Sequence, residues 1–227
     1  AIKEMITRLT WFGDTSIENV SNAGYLKNGE DTSFFDIIDG LWPQIIGTDI
    51  PTTSNYYVEI AQNAEATKVL QQTLPTDFAY NLFKTMWTKA DSRLKQLVMN
   101  NQIELQLHVT GDIYENYQDF KETKSLEFTL KNVEDGGLKS FFRNVEVIPH
   151  YDWDAIIQGY FDNGTTYHLP NRALLTTPSN IPIGTRNEGD LTLLDSFYDQ
   201  YRKVNVIDFD MTLDAKFLED YLAVAAY

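Results

Sequence analysis

Carboxylates supply most of the side chains in this sequence that could do chemistry. Asp152 with Asp154, Asp195 with Asp199, and Asp36 with Asp39 are each close enough in sequence to form the acid and base that flank a glycosidic bond. In a chain with 33 acidic residues such pairs also arise from composition alone. His108, His150 and His168 show no metal-ligand spacing. The run Val206-Ile207-Asp208-Phe209-Asp210-Met211-Thr212 sets two aspartates one residue apart behind an apolar pair. On an alternating strand both would share the polar side, which a solvated sheet face explains without any chemistry. The sequence contains no Gly-rich phosphate loop and no nucleophile elbow. Asn163-Gly164-Thr165 fits a glycosylation acceptor and, more simply, a turn. Thirteen tyrosines, thirteen phenylalanines and four tryptophans could form the sugar platform of a secreted glycan-binding module, or equally a core and subunit contacts.

Positioning any of these groups requires elements, and the strongest pattern lies between Pro75 and Thr110. Phe78, Leu82, Phe83, Met86, Trp87, Ala90, Leu94 and Leu97 recur at three- and four-residue steps, which predicts one helix over 76–97 with Thr76 as its cap. After Asn100-Asn101, the residues Ile103, Leu105, Leu107 and Val109 alternate with Glu104, Gln106, His108 and Thr110. That alternation predicts a strand with one apolar and one wet face, so His108 is expected on the wet face.

Around this pair the remaining elements fall in order. Ile2, Met5, Ile6 and Leu9 form a helical stripe that stops at Gly13-Asp14, where glycine can take a left-handed cap. A loop-rich stretch from 14 to 57 holds a short helix at about 34–45, followed by a strand at 57–61 and a helix at 65–72. A helix at 111–121, strands at 126–130 and 145–149, a helix at 151–160, a turn at 162–164 and a strand at 172–177 follow. From Val204 to Leu213 the apolar positions change parity, which a bulge near Val206 would reconcile, and Tyr221–Tyr227 reads as a closing strand.

Composition sets the outer limits. With 43% hydrophobic residues the 227-residue chain can bury an ordinary core. No cysteine is present, so disulfides, thiolate metal sites and a cysteine nucleophile are excluded. A formal charge of -15 repels phosphate backbones and anionic membranes, and no apolar run reaches the length of a membrane span, so neither nucleic acid nor membrane is an expected partner. The helical pattern starting at Ala1-Ile2 suggests an N-terminus removed by processing or by design of the expressed piece.

Two families resemble parts of this pattern. The Asp208–Thr212 run resembles the first motif of the haloacid dehalogenase-like phosphatases. That resemblance implies Asp208 as the nucleophile on phosphorus and Asp210 as the group that handles the leaving group's proton beside a magnesium ion. The same chemistry needs a lysine and further carboxylates, which that family supplies from later segments. Here only fifteen residues follow, offering Lys216, Glu219 and Asp220.

The second resemblance covers nearly the whole chain. A helix running into Trp11-Phe12-Gly13-Asp14-Thr15 is similar to the end of the spine helix in the major capsid proteins of tailed bacteriophages, the Hong Kong 97 fold. The helix, strand and helix from 76 to 120 resemble that fold's axial domain, as do Phe141-Phe142-Arg143-Asn144 followed by Val145–Pro149, and Pro170–Thr177 with Ile181–Thr185. The resemblance implies an α+β fold with a central mixed sheet flanked by helices. It divides the chain into a peripheral-domain stub at 1–15, an axial domain at 16–204 and closing strands at 205–227 that return to the peripheral domain. The family's N-terminal arm and extended loop would be lacking. It also implies a structural subunit with no catalytic residue, metal or cofactor. Its partners would be pentamer and hexamer neighbours of the same chain, with scaffolding or decoration proteins, in a virion built in the host cytoplasm.

Overall fold

The structure is a computed structural model that describes residues 2–16, 35–100, 102–124, 131–132, 138–185, 194–201, 203–209 and 212–227. Its centre is strand β2 (Gln106–Thr110), which pairs parallel with β5 (Val145–His150) on one side and antiparallel with β6 (Ala173–Thr176) on the other. Beyond β5 lie β4 (Leu138–Phe142) and β3 (Lys131–Asn132). Beyond β6 lie β11 (Val224–Ala226) and β1 (Tyr57–Val58). The result is a seven-stranded mixed sheet in an α+β chain.

Both faces of this sheet are covered. On one face Leu107, Val109, Leu175 and Val147 meet α4 (Phe78–Lys89), α5 (Ser92–Met99) and α6 (Gly111–Thr123) through Leu82, Phe83, Met86, Leu94, Ile113 and Tyr117. On the other, Leu174 and Ala225 meet α1 (Ile2–Phe12), α2 (Leu41–Gln44) and α7 (Tyr151–Tyr160) through Trp11, Phe12, Trp42 and Trp153. This second layer corrects the expectation of a wet face on β2, since His108 is 6% exposed and Thr110 fully buried. Alternation of polar with apolar residues marks a half-wet strand only when nothing distant in sequence packs on the polar side.

The predicted helix over 76–97 is two helices. Asp91 breaks it, accepting a hydrogen bond from the Arg93 N–H as the cap of α5, while its other oxygen accepts from Tyr56 Oη at 2.7 Å. The apolar stripe reads straight through because Met86, Ala90 and Leu94 keep four-residue steps across the break. At the start of α4 neither Thr76 nor Asp77 caps. Asn116 of α6 accepts from the Ala79 N–H at 3.0 Å and donates to Pro75 O at 2.8 Å, so one helix closes the end of another. Gly13 likewise takes no left-handed conformation. It is glycine because a Cβ would collide with the Ile38 and Leu9 carbonyls.

The other predicted elements differ mainly in length. The helix at about 34–45 is a single α turn at 41–44 running into a wide turn at Ile45–Asp49. The one at 65–72 is α3 (Lys68–Gln72), capped by Thr67, and the strand at 57–61 shrinks to β1. The strand at 126–130 lies outside the described residues.

The stretch 204–213 is not one bulged strand. β9 (Val204–Phe209) pairs with β8 (Leu194–Asp199) in unbroken register, whereas β10 (Leu213–Ala215) pairs with β7 (Ile183–Thr185). The parity change marks a switch between two ladders. At the chain's end, β11 lies inside the central sheet while Ala215, Phe217, Ala225 and Tyr227 pack with Trp11 and Phe12. The first and last segments therefore meet.

Trp153 is fully buried, with its ring 4.6 Å from Trp11 and 5.3 Å from Trp42. Trp153→Ala should cost about 3–5 kcal/mol in urea unfolding. A loss below about 1 kcal/mol would show that the second face is not packed as described.

Candidate functional site

Sequence spacing gives no reason to connect His108 with His150, yet the fold brings them together. Parallel pairing of β2 with β5 sets Thr110 opposite His150, so His108 is the diagonal neighbour on the same face. His108 Nδ1 and His150 Nε2 lie 2.8 Å apart and share one hydrogen. The rings sit in an aromatic box. His150 stacks on Trp153 at 4.2 Å between centroids, and Trp11 lies 5.7 Å from His108 and 5.5 Å from His150. Burial, with the His150 charge second, pushes His108 down to about 3, so it is neutral at ordinary pH. Its Nε2 has no hydrogen-bond partner among the described residues. On the outer side His150 Nδ1 faces the Asp152 carboxylate at 3.7 Å, and the hydrogen bond to His150 holds Asp152 below the usual carboxylate range. This is a packed pair in which His108 is buried and His150 half-buried.

Asp154, in the first turn of α7, reaches the start of α6. The Gly111 N–H donates to its Oδ2 at 2.7 Å, and a Cβ on Gly111 would strike both that oxygen and the Tyr151 ring. Burial raises Asp154 to about 7 against that hydrogen bond, with the charges of Asp112 and Asp152 adding to the rise. Asp152 and Asp154 thus face different partners and do not flank a common space. Asp36 is exposed, whereas Asp39 Oδ1 accepts from the Thr15 N–H at 2.9 Å and the Thr15 hydroxyl at 2.7 Å, tying its turn to the end of α1. Asp195 and Asp208 are direct cross-strand partners in the β8–β9 ladder, and Asp210 lies outside the described residues. Among the described residues no three histidine or acidic side chains are placed to hold a metal ion. Asn163 is spent on its turn, accepting from the Thr165 and Thr166 N–H groups while Gly164 takes φ +97°.

The cleft that remains opens beside the end of α1 and holds about 450 Å³. Phe12, Trp42 and Phe161 give it an aromatic floor, and Asp14, Asp39 and Thr48 stand around it. Arg172 and His168 reach it from the strand side. The Arg172 guanidinium lies between Phe12 and Trp42, 5.1 and 5.2 Å from their ring centres, and donates to the Leu169 and His168 carbonyls. Burial, then the Arg172 charge, lowers His168 to about 4. Sequence reasoning missed this cleft because its lining is drawn from four separate stretches.

No protein-family profile matches the chain, and no curated protein matches it. Among solved structures, a chain from Mycobacterium phage Che8 superposes with a TM-score of 0.38 at 10% identity, covering 76% of this chain and 53% of that one. The chain therefore spans about half the length of that neighbour, and a superposition this loose defines no fold family. No helix among the described residues is long and apolar enough to cross a membrane.

The buried histidine has a measurable consequence. The unfolded chain takes up the imidazole proton near pH 6.5 while folded His108 refuses it to about 3, so its share of stability drains away as pH falls through that window. Between pH 7 and pH 5 the unmodified chain should lose about 2 kcal/mol more than His108→Phe, measured as urea unfolding at both pH values. His168 and Asp154 titrate in both proteins and cancel in the difference. Equal losses in the two proteins would mean that His108 is not held neutral.

Proposed function

We propose that this chain is a structural subunit of a tailed-phage-type capsid, in the Hong Kong 97 manner, and that it performs no catalysis. The observation that carries the reading is the meeting of the chain's two ends. The capsid resemblance requires residues 1–15 to lie beside 205–227, and Trp11 and Phe12 pack with Ala215, Phe217, Ala225 and Tyr227. The order of helix, strand and helix from 78 to 123 around a mixed sheet supports it further. On this reading 1–15 is the end of the spine helix, 16–204 the axial body and 205–227 the return, with β11 stitched into the axial sheet. Its partners are copies of itself around fivefold and sixfold axes, with scaffolding or decoration proteins as further partners, and its place is the virion. The acidic surface neither grips packaged DNA nor seeks a membrane.

The competing reading, a magnesium-dependent phosphohydrolase centred on Asp208 and Asp210, makes an opposite prediction. Electron micrographs of the concentrated chain should show rings of five or six copies, with monomers or loose oligomers in dilute light scattering. A generic phosphomonoester with magnesium should not turn over. Magnesium-dependent turnover abolished by Asp208→Asn would overturn the capsid reading. A stable closed shell from this chain alone would overturn the placement of 1–15 and 205–227 as peripheral stubs.

A further inference from the structure

The turn after α7 brings together the parts of a self-modifying asparagine. Asn163 is followed by Gly164, whose missing side chain leaves its backbone nitrogen open to the asparagine amide carbon. Nothing lies within 4 Å of where a Gly164 side chain would stand, so a ring closing there has room. Asn163 Oδ1 accepts from the Thr166 N–H at 2.7 Å and from the Thr165 N–H at 3.0 Å. Two backbone donors on one carbonyl oxygen polarise the carbon behind it and meet the negative charge that an attack would place there. The Gly164 N–H donates to Asp162 Oδ1 at 2.7 Å, so the proton that this nitrogen must lose already lies against a carboxylate. Asn163 Nδ2 donates to Thr166 Oγ1 at 2.9 Å, which sets a hydroxyl beside the nitrogen that must depart. Asn163, Gly164 and Thr165 are exposed, so water reaches the same carbon.

We propose that Asn163 is a site of self-deamidation, driven by the groups of its own turn. The Gly164 nitrogen bonds to Asn163 Cγ while its proton passes to Asp162. The Cγ–Nδ2 bond then breaks, and the nitrogen leaves as ammonia with a proton from the Thr166 hydroxyl, which regains one from Asp162 through solvent. A five-membered imide remains. Water adds to one of its two carbonyl carbons and opens it, giving either an aspartate at 163 or the isomer whose backbone runs through the side-chain carbon. One water enters and one ammonia leaves, with no oxidant or reductant. The chemistry is independent of the capsid reading.

Helix α3 hangs from this turn. The Lys68 N–H donates to the Thr165 carbonyl at 3.2 Å, Lys68 Nζ pairs with Asp162 at 2.7 Å, and the Gln71 side chain binds the Tyr167 N–H and carbonyl at 2.8 and 3.0 Å. Because α3 buries Gln71 and exposes Val69 and Leu70, hydrogen bonds fix it to the body more than apolar packing does. The isomer adds a backbone atom between 163 and 164 and takes away the oxygen that the Thr165 and Thr166 N–H groups share, so the turn loses its shape and α3 loosens. An old chain then differs from a new one at this surface.

The intact chain is held folded at neutral pH and, in parallel, unfolded in guanidinium chloride, and the peptide containing 163 is weighed over time. The expected result is a gain of one mass unit at Asn163, about threefold or more faster in the folded chain, with the isomer among the products. Thr166→Val should slow the folded chain roughly threefold or more and leave the unfolded rate unchanged, while Thr166→Ser, which keeps the hydroxyl, should keep the folded rate. A folded rate at or below the unfolded one overturns the proposal. So does a folded rate indifferent to Thr166→Val, or one slowed equally by Thr166→Ser. In the converted chain the amides of 68–72 should exchange hydrogen faster than in the fresh chain, and unchanged exchange would overturn the link to α3.

Discussion

From Leu107 to Thr110 strand β2 is dry on both sides, and the polar groups of the molecule are arranged around that fact. A group buried there keeps its stability only if it finds a partner. His108 finds His150. Thr110 exchanges hydrogen bonds with the backbone of Arg172, donating its N–H to the carbonyl at 3.1 Å and accepting from the N–H on its hydroxyl oxygen at 3.4 Å. Next along the chain, buried Asn171 is held by Asn63 and by the Gln71 carbonyl, while Gln71 itself spans the Asn63 and Tyr167 backbones. These bonds pin the loop before β6 to the segment after β1. They do so from inside the protein, where each lost bond leaves an uncompensated group.

The same burial accounts for the shifted titrations. Strongly perturbed groups often mark an active site because several of them converge on an open space. Here they do not converge. His108 lies between Trp11 and His150, Asp154 is taken by the Gly111 N–H, and Tyr117 is driven up to about 12 by burial while its hydroxyl donates to the Phe141 carbonyl. Lys121 is lowered by burial and donates to Ser140 Oγ. Each shift is the signature of a group fitted into packing. In the cleft, too, His168 lies beside an arginine whose guanidinium already donates to two carbonyls and lies between the Phe12 and Trp42 rings.

Much of the frame is legible in the sequence because it is local. The stripe from Phe78 to Leu97, the strand ending at Val109 and the helix at 151–160 all follow from periodicity, and the structure has them. What periodicity cannot see is what comes from far away. Glu104, Gln106, His108 and Thr110 alternate with apolar neighbours as a wet face should, and Glu104 is indeed exposed, but the layer of Trp11 and Trp153 makes the His108–Thr110 end dry. The break at Asp91 is invisible because the phase of the apolar stripe survives it. The histidine pair needs the β2–β5 register, and the cleft needs four stretches assembled. A single capping signal, Asp91-Ser92-Arg93, was available and lost to the longer pattern around it.

The topology also orders the assembly of the molecule. Strand β11, the last in the chain, lies between β1 and β6, so its partners are residues 57–58 and 173–175. The second aromatic layer includes Ala225 and Tyr227, and the Tyr227 hydroxyl donates to the Ile50 carbonyl at 2.8 Å. Neither the sheet nor this layer can close until the C-terminal residues arrive, and pairings of such long sequence separation form slowly. Between β6 and β11 the chain passes through β7 to β10, and β10 returns to the core, because Ala215 is 1% exposed and belongs to the second aromatic layer. Closing that layer therefore waits on the segment after β9 as well as on β11.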